Sequence, residues 1–169
     1  NKIDFDDDLD TSISANTDDT LVIEAGGNTM ATITATTFTI NDGTTITTAD
    51  NTDTLTLIST DADATVGPNL NFYRNSGSPA DNDDLGKIVF NGRNDNSQDV
   101  VYAQIRSTIV DASDGTEDGL VKHDVSLGGT AYQHLSMGNG SIVFNEESQD
   151  IDFRVESNGN ANMLFIKNN

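Results

Sequence analysis

Apolar and polar residues alternate along much of this chain with a period of two. Ile3 and Phe5, Leu21 and Ile23, Leu55 and Leu57, Leu70 and Phe72, Ile88 and Phe90, Leu135 and Met137, and Ile142 and Phe144 each place two apolar groups on one face of an extended segment. Nothing comparable recurs at helical spacing. Threonine, abundant from Thr29 to Thr56, is β-branched and suits a pleated, half-buried surface. The expected fold is all-β, built of repeated hairpins and meanders.

Two hairpins can be given a register, because Asn-Gly favours the centre of a two-residue type I′ turn. Centred on Asn139-Gly140, Met137 pairs with Ile142 and Leu135 with Phe144. Centred on Asn158-Gly159, Val155 meets Asn162, Phe153 meets Leu164 and Ile151 meets Ile166. A slip of one residue would turn each apolar set to the opposite face. Gly26-Gly27 and Gly128-Gly129 read as turn residues supplying positive φ, and Asp42-Gly43 as another turn. A meander is expected through residues 69–74, 85–92, 100–110 and 120–129, separated by polar surface loops at 75–84, 93–99 and 111–119.

One pattern occurs twice, as DDTLVIEAGGNTMATI at 18–33 and DIDFRVESNGNANMLFI at 150–166. Leu21 falls on Phe153, Ile23 on Val155, Glu24 on Glu156, Gly27 on Gly159 and Asn28 on Asn160, and after one inserted residue Met30 and Ile33 fall on Met163 and Ile166. DTLTLIS at 53–59 is a weaker third copy. Reuse of a hairpin-sized unit suits an elongated protein, in which each copy buries its apolar face only against neighbours.

Composition adds that the core is thin, since the apolar share is 34%, against roughly 45–50% in ordinary domains. Residues 1–66 hold thirteen acidic residues against one basic residue, Lys2, and two aromatics, Phe5 and Phe38. Residues 67–169 hold fifteen acidic residues against seven basic ones, with eight aromatics. We therefore place a boundary near Gly67-Pro68, between a Thr/Asp-rich β-repeat segment at 1–66, which needs a partner surface, and a compact, β-sandwich-like module at 67–169.

A net charge of −20 makes nucleic acid a poor partner, because phosphate binding requires clustered Lys and Arg, and it argues equally against anionic membranes. With no cysteine there is no disulfide framework and no thiolate metal site. No apolar run approaches the ~20 residues of a membrane-spanning helix. The chain opens on Asn1 without a basic leader, which reads as an excerpt of a longer protein.

Three acidic clusters could supply oxygen ligands to Ca²⁺: Asp6, Asp7, Asp8 and Asp10; Asp81, Asp83 and Asp84; and Asp111, Asp114, Glu117 and Asp118. In the last, Gly115 stands fifth where an EF-hand loop needs glycine sixth, and flanking helices are missing from the pattern. Solvated turns are the plainer reading, and no cofactor is expected. His123 and His134 lack metal-ligand spacing and a Gly-x-Ser-x-Gly elbow. The adjacent acids Glu146-Glu147 and Asp83-Asp84 fall in polar turns and there is no tryptophan to wall a sugar site, so glycoside hydrolysis is disfavoured. Asn139-Gly140-Ser141 matches a glycosylation acceptor, at a hairpin tip.

The strings SPADNDDLG, DGTEDG and DFRVESNGNANMLF, within residues 67–166, resemble a module of fibre-like structural proteins of tailed bacteriophages, especially those of marine cyanobacteria. Residues 1–66 resemble only the general Thr/Asp-rich repeats of such fibres. The resemblance implies a virion appendage without enzymatic activity, a homotrimeric tail or head fibre that joins the particle to a distal host-contacting tip. Its partners would be its own copies and other virion proteins. Leu21, Ile23, Phe72, Phe90, Ile105, Phe144, Phe153, Val155, Leu164 and Ile166 are then the inward-facing packing residues. Two alternatives stand beside it. One is a host-recognition module whose loops 75–84 and 93–99 bind surface glycans through Tyr73 and Tyr102, and the other is a bacterial surface adhesin.

Overall fold

The structure, a computed structural model, describes residues 2–138 and 140–155, and every regular element among them is a β-strand. The chain divides into two units, the first ending at Asn69 and the second beginning at Leu70.

In the first unit β1 (Lys2–Asp4), β2 (Ser12–Thr17), β3 (Thr20–Ala25), β4 (Asn28–Ile33) and β5 (Phe38–Ile40) form one antiparallel sheet in sequence order. The first copy of the repeated pattern is the β3–β4 hairpin. Its register closes from Ala25 to Asn28, and Gly26 and Gly27 between them have φ of 57° and 73°, the paired left-handed backbone that glycine adopts without penalty. Alternation then sorts the side chains. Ile3, Ile13, Ile23, Ala31 and Ile40 are successive cross-strand partners, so an apolar ladder crosses all five strands on one face. The other face is polar, and there Ser12 donates from Oγ to Glu24 Oε2 at 2.8 Å.

Residues 41–83 contain no strand, although alternation at Leu55 and Leu57 and at Leu70 and Phe72 predicts two. A strand needs a neighbour to satisfy its backbone, and none of the described strands pairs with this stretch. Its Asp, Ser and Thr side chains bond their own backbone instead: Asp50 Oδ1 accepts from the Thr52 amide at 3.0 Å, and Asp63 Oδ1 from the Thr65 amide at 2.7 Å.

In the second unit β6 (Asp84–Arg93), β7 (Asp99–Asp111), β8 (Asp118–Leu127), β9 (Thr130–Gly138) and β10 (Ser141–Phe144) form a second antiparallel meander, ordered β10-β9-β8-β7-β6. The β8–β9 turn is Gly128-Gly129, again with both φ positive, at 59° and 86°. The β9–β10 hairpin has the register read from the sequence, with Met137 opposite Ile142 and Leu135 opposite Phe144. The hairpin expected at Asn158-Gly159, with Leu164 and Ile166, lies outside the described residues, and residues 151–155 leading into it are not in a strand.

Among the described residues of 67–169 the strands make a single sheet, and no second layer of a sandwich is among them. A lone sheet buries little apolar surface: Ala31, 8% exposed, is the only buried apolar residue among those described, the other buried side chains being the polar Ser12, Ser14, Thr108, Asp124 and Ser136. The residues expected to pack inward follow suit. Leu21, Ile23, Ile105 and Val155 are half-buried, while Phe72, Phe90, Phe144 and Phe153 are more than half exposed within one chain.

Candidate functional site

Cross-strand pairing gives the two faces of the second sheet opposite chemistry. Ile88 with Ile105, Phe90 with Ala103, His123 with both Ile105 and Leu135, Val121 with Met137, and Ile142 and Phe144 on β10 lie on one face. Lys87 with Arg106, Gln104 with Asp124, and Lys122 with both Arg106 and Ser136 lie on the other. Every ionic side chain of these pairs is on the second face.

That polar face holds a connected ladder. Asp124, 5% exposed, accepts at Oδ2 from Gln104 Nε2 at 2.7 Å and from Arg106 Nε at 2.9 Å. Arg106 also stands 3.9 Å from Asp84 Oδ1, which accepts a 2.7 Å bond from Thr108 Oγ1. A charge this buried persists only when paired and hydrogen-bonded. The ladder was not singled out among the candidate residues, yet it is written in the alternation, since Gln104, Arg106 and Thr108 occupy every second position of β7 around Ile105.

Next to it β9 carries a bulge. His123 faces Leu135 but Asp124 faces Gln133, so His134 is the extra residue. His134 Nε2 and Asp124 Oδ1 are both buried without a hydrogen-bond partner. His123 pairs with Ile105 and Leu135 among the residues of the apolar face. Glu147 caps the same bulge, accepting from the Gln133 amide at 3.1 Å.

The two tyrosines are held apart. Arg74 donates to the Asp84 carbonyl at 2.9 Å, which puts Tyr73 beside the start of β6. Tyr102 lies against Gly92 near the end of that strand, where a Cβ on the glycine would come within 3.0 Å of the ring. The intervening strand spans roughly 26 Å at ~3.3 Å per residue. Loops 75–83 and 94–98 are separated in the same way, so the two do not form one sugar-binding surface. Both tyrosine hydroxyls bond locally, Tyr73 to Asn75 Oδ1 at 3.2 Å and Tyr102 to the Arg93 carbonyl at 3.4 Å.

The carboxylates of Asp111, Asp114, Glu117 and Asp118 do not converge as ligands. Asp111 organises its own turn, accepting from the Ser113 amide at 2.8 Å and from Thr116 Oγ1 at 3.2 Å. The Ser113 hydrogen bonds hold its carboxyl below the usual carboxylate range. Asp81 likewise accepts from the Ala112 amide at 2.9 Å. Among the described residues the acids that do converge are Asp6, Asp8 and Asp10, with ligand atoms within 4.8 Å of one another. Desolvation, with repulsion from Asp8 and Asp6, pushes the Asp10 carboxyl upward.

Comparison of the chain with protein-family models, with curated proteins and with solved structures gives no match.

Proposed function

We propose that this chain is a structural segment of a bacteriophage fibre, on the tail or the head, in which copies associate about a threefold axis and carry load between the particle and a distal tip. The observation that supports this most is the pair of one-layer meanders, each with an apolar face that the described residues of its unit leave largely uncovered. Domains ordinarily bury such a face against a second layer, and association of copies supplies that layer in an elongated assembly. Strong acidity fits a surface that stays soluble while its apolar faces are engaged. In this reading the chain performs no reaction, binds no cofactor and resides in the virion. The glycan-module alternative has less behind it, because Tyr73 and Tyr102 occupy opposite ends of β6.

Light scattering with small-angle scattering on the purified chain tests the reading. A rod with the mass of three chains is expected. A compact monomer would overturn it.

A further inference from the structure

The apolar face of the β6–β10 sheet has the properties of a self-association surface. Resting on the fibre reading above, we infer that three copies bring this face together around a common axis, so that the three sheets form the sides of a triangular prism.

Charge is the first argument. The chain carries −20 overall, so two copies repel unless they meet where the charge is absent. Ile88, Phe90, Ala103, Ile105, Val121, Val125, Leu135, Met137, Ile142 and Phe144 alternate with the ionic positions of the opposite face, and His123 and Tyr132 are the titratable side chains paired with them. A charge-free surface on so acidic a chain suits a copy of itself, which presents the same uncharged face in return.

Area is the second. Five strands spaced ~4.8 Å apart, of 10, 13, 10, 9 and 4 residues from β6 to β10, present roughly 600–800 Å², which approaches the ~800 Å² per partner of a stable interface. The exposed members are large: Phe90 is 54% and Phe144 55% exposed, against a few scattered surface apolars in an ordinary monomer.

Width argues for three. Four strand spacings of ~4.8 Å make a side of roughly 19 Å, and an equilateral triangle of that side has its sides about 5.5 Å from the axis. Packed sheets lie ~10 Å apart, so each contributes about 5 Å of side chain. Three such sheets therefore fill their interior with ordinary side chains. Aromatic groups stand at both borders of the face, as this arrangement needs at its corners. Phe72 covers Gly86 on β6, where an added Cβ would come within 2.9 Å of it, and Phe153 packs against Phe144 of β10 with centroids 5.0 Å apart and the rings tilted by 44°.

The chain has no cysteine, so an introduced one reports a single position. Val125 and Ser126 are adjacent on β8 and project from opposite faces, and each accepts cysteine with little change in volume. With a short bis-maleimide, Val125→Cys should give two- and three-chain products in the full chain, Ser126→Cys should give none, and Val125→Asp should lower the solution mass to one chain. Folding of each variant is verified by circular dichroism. Cross-linking through Ser126 but not Val125, or a three-chain mass without cross-linking at Val125, would overturn the assignment of this face while leaving the fibre reading intact. A one-chain mass for the unaltered protein would remove both.

Discussion

Arg106 and Asp124 form the most buried ion pair of the described chain, Nε to Oδ2 at 2.9 Å, with the carboxylate side chain only 6% exposed. They sit on neighbouring strands, and the guanidinium extends toward Asp84 on the edge. The pair, with Asp84, ties β6, β7 and β8 together across the polar face. Removing one partner leaves the other charge poorly compensated in a site with little water, which costs more than the intact pair contributes. Arg106→Met should destabilise the second unit by about 2–4 kcal/mol, read from the urea midpoint. Arg93→Met, which breaks a surface pair with Asp99 whose side chains are 69% and 86% exposed, should move it by less than about 1 kcal/mol. Equal shifts would mean that the ladder has no special weight.

Glycine positions separate by backbone and by space. Gly129 has φ of 86°, and a side chain there adopts a left-handed conformation at a cost of about 1–2 kcal/mol. Gly138, with φ of 148°, is worse placed, because its Cβ would collide with the Gly119 carbonyl of the adjacent strand. Gly119 itself faces open space and has no such φ. Thermal unfolding should therefore rank Gly138→Ala as more damaging than Gly129→Ala, with Gly119→Ala neutral or stabilising by a few tenths of a kcal/mol, as loss of unfolded-state freedom predicts. A harmful Gly119→Ala would contradict the register of β8 against β9.

How much of this was legible follows from what each signal encodes. The β9–β10 hairpin could be registered because an Asn-Gly sequence favours a two-residue turn and the apolar pairs Met137–Ile142 and Leu135–Phe144 then fall on one face. The glycine pairs Gly26-Gly27 and Gly128-Gly129 marked the β3–β4 and β8–β9 turns and their positive φ, without fixing a register. Leu55-x-Leu57 has equal alternation and makes no strand, because alternation states which face a residue would take and is silent on whether a neighbouring strand exists to pair with it. The acids at 111–118 have the density of a ligand set with solvated turns as the plainer reading, and density alone does not say that Asp111 accepts from Ser113 and Thr116 in building its turn. The Arg106–Asp124 pair needed the β7–β8 register, which residue types alone do not supply.

Asp111 and Asp10 make opposite predictions for pH. The folded pKa of Asp111 is lowered, first by the Ser113 amide, so its contribution to stability is present above the ordinary value of 3.8 and is lost as pH falls through the depressed folded value. That of Asp10 is raised, first by desolvation and then by Asp8 and Asp6, so its favourable contribution is present below 3.8 and is lost as pH rises through the elevated value. At pH 7 Asp111→Asn should lower the unfolding midpoint and Asp10→Asn should raise it. At pH 3 the Asp10→Asn gain should shrink, since that carboxyl is by then largely protonated in the folded chain. Added salt should reduce the Asp10→Asn gain at pH 7 as well, because screening weakens the repulsion from Asp6 and Asp8. Unfolding midpoints of both variants at the two pH values decide the matter. A gain for Asp10→Asn that is as large at pH 3 as at pH 7 would show that charge on Asp10 is not its source.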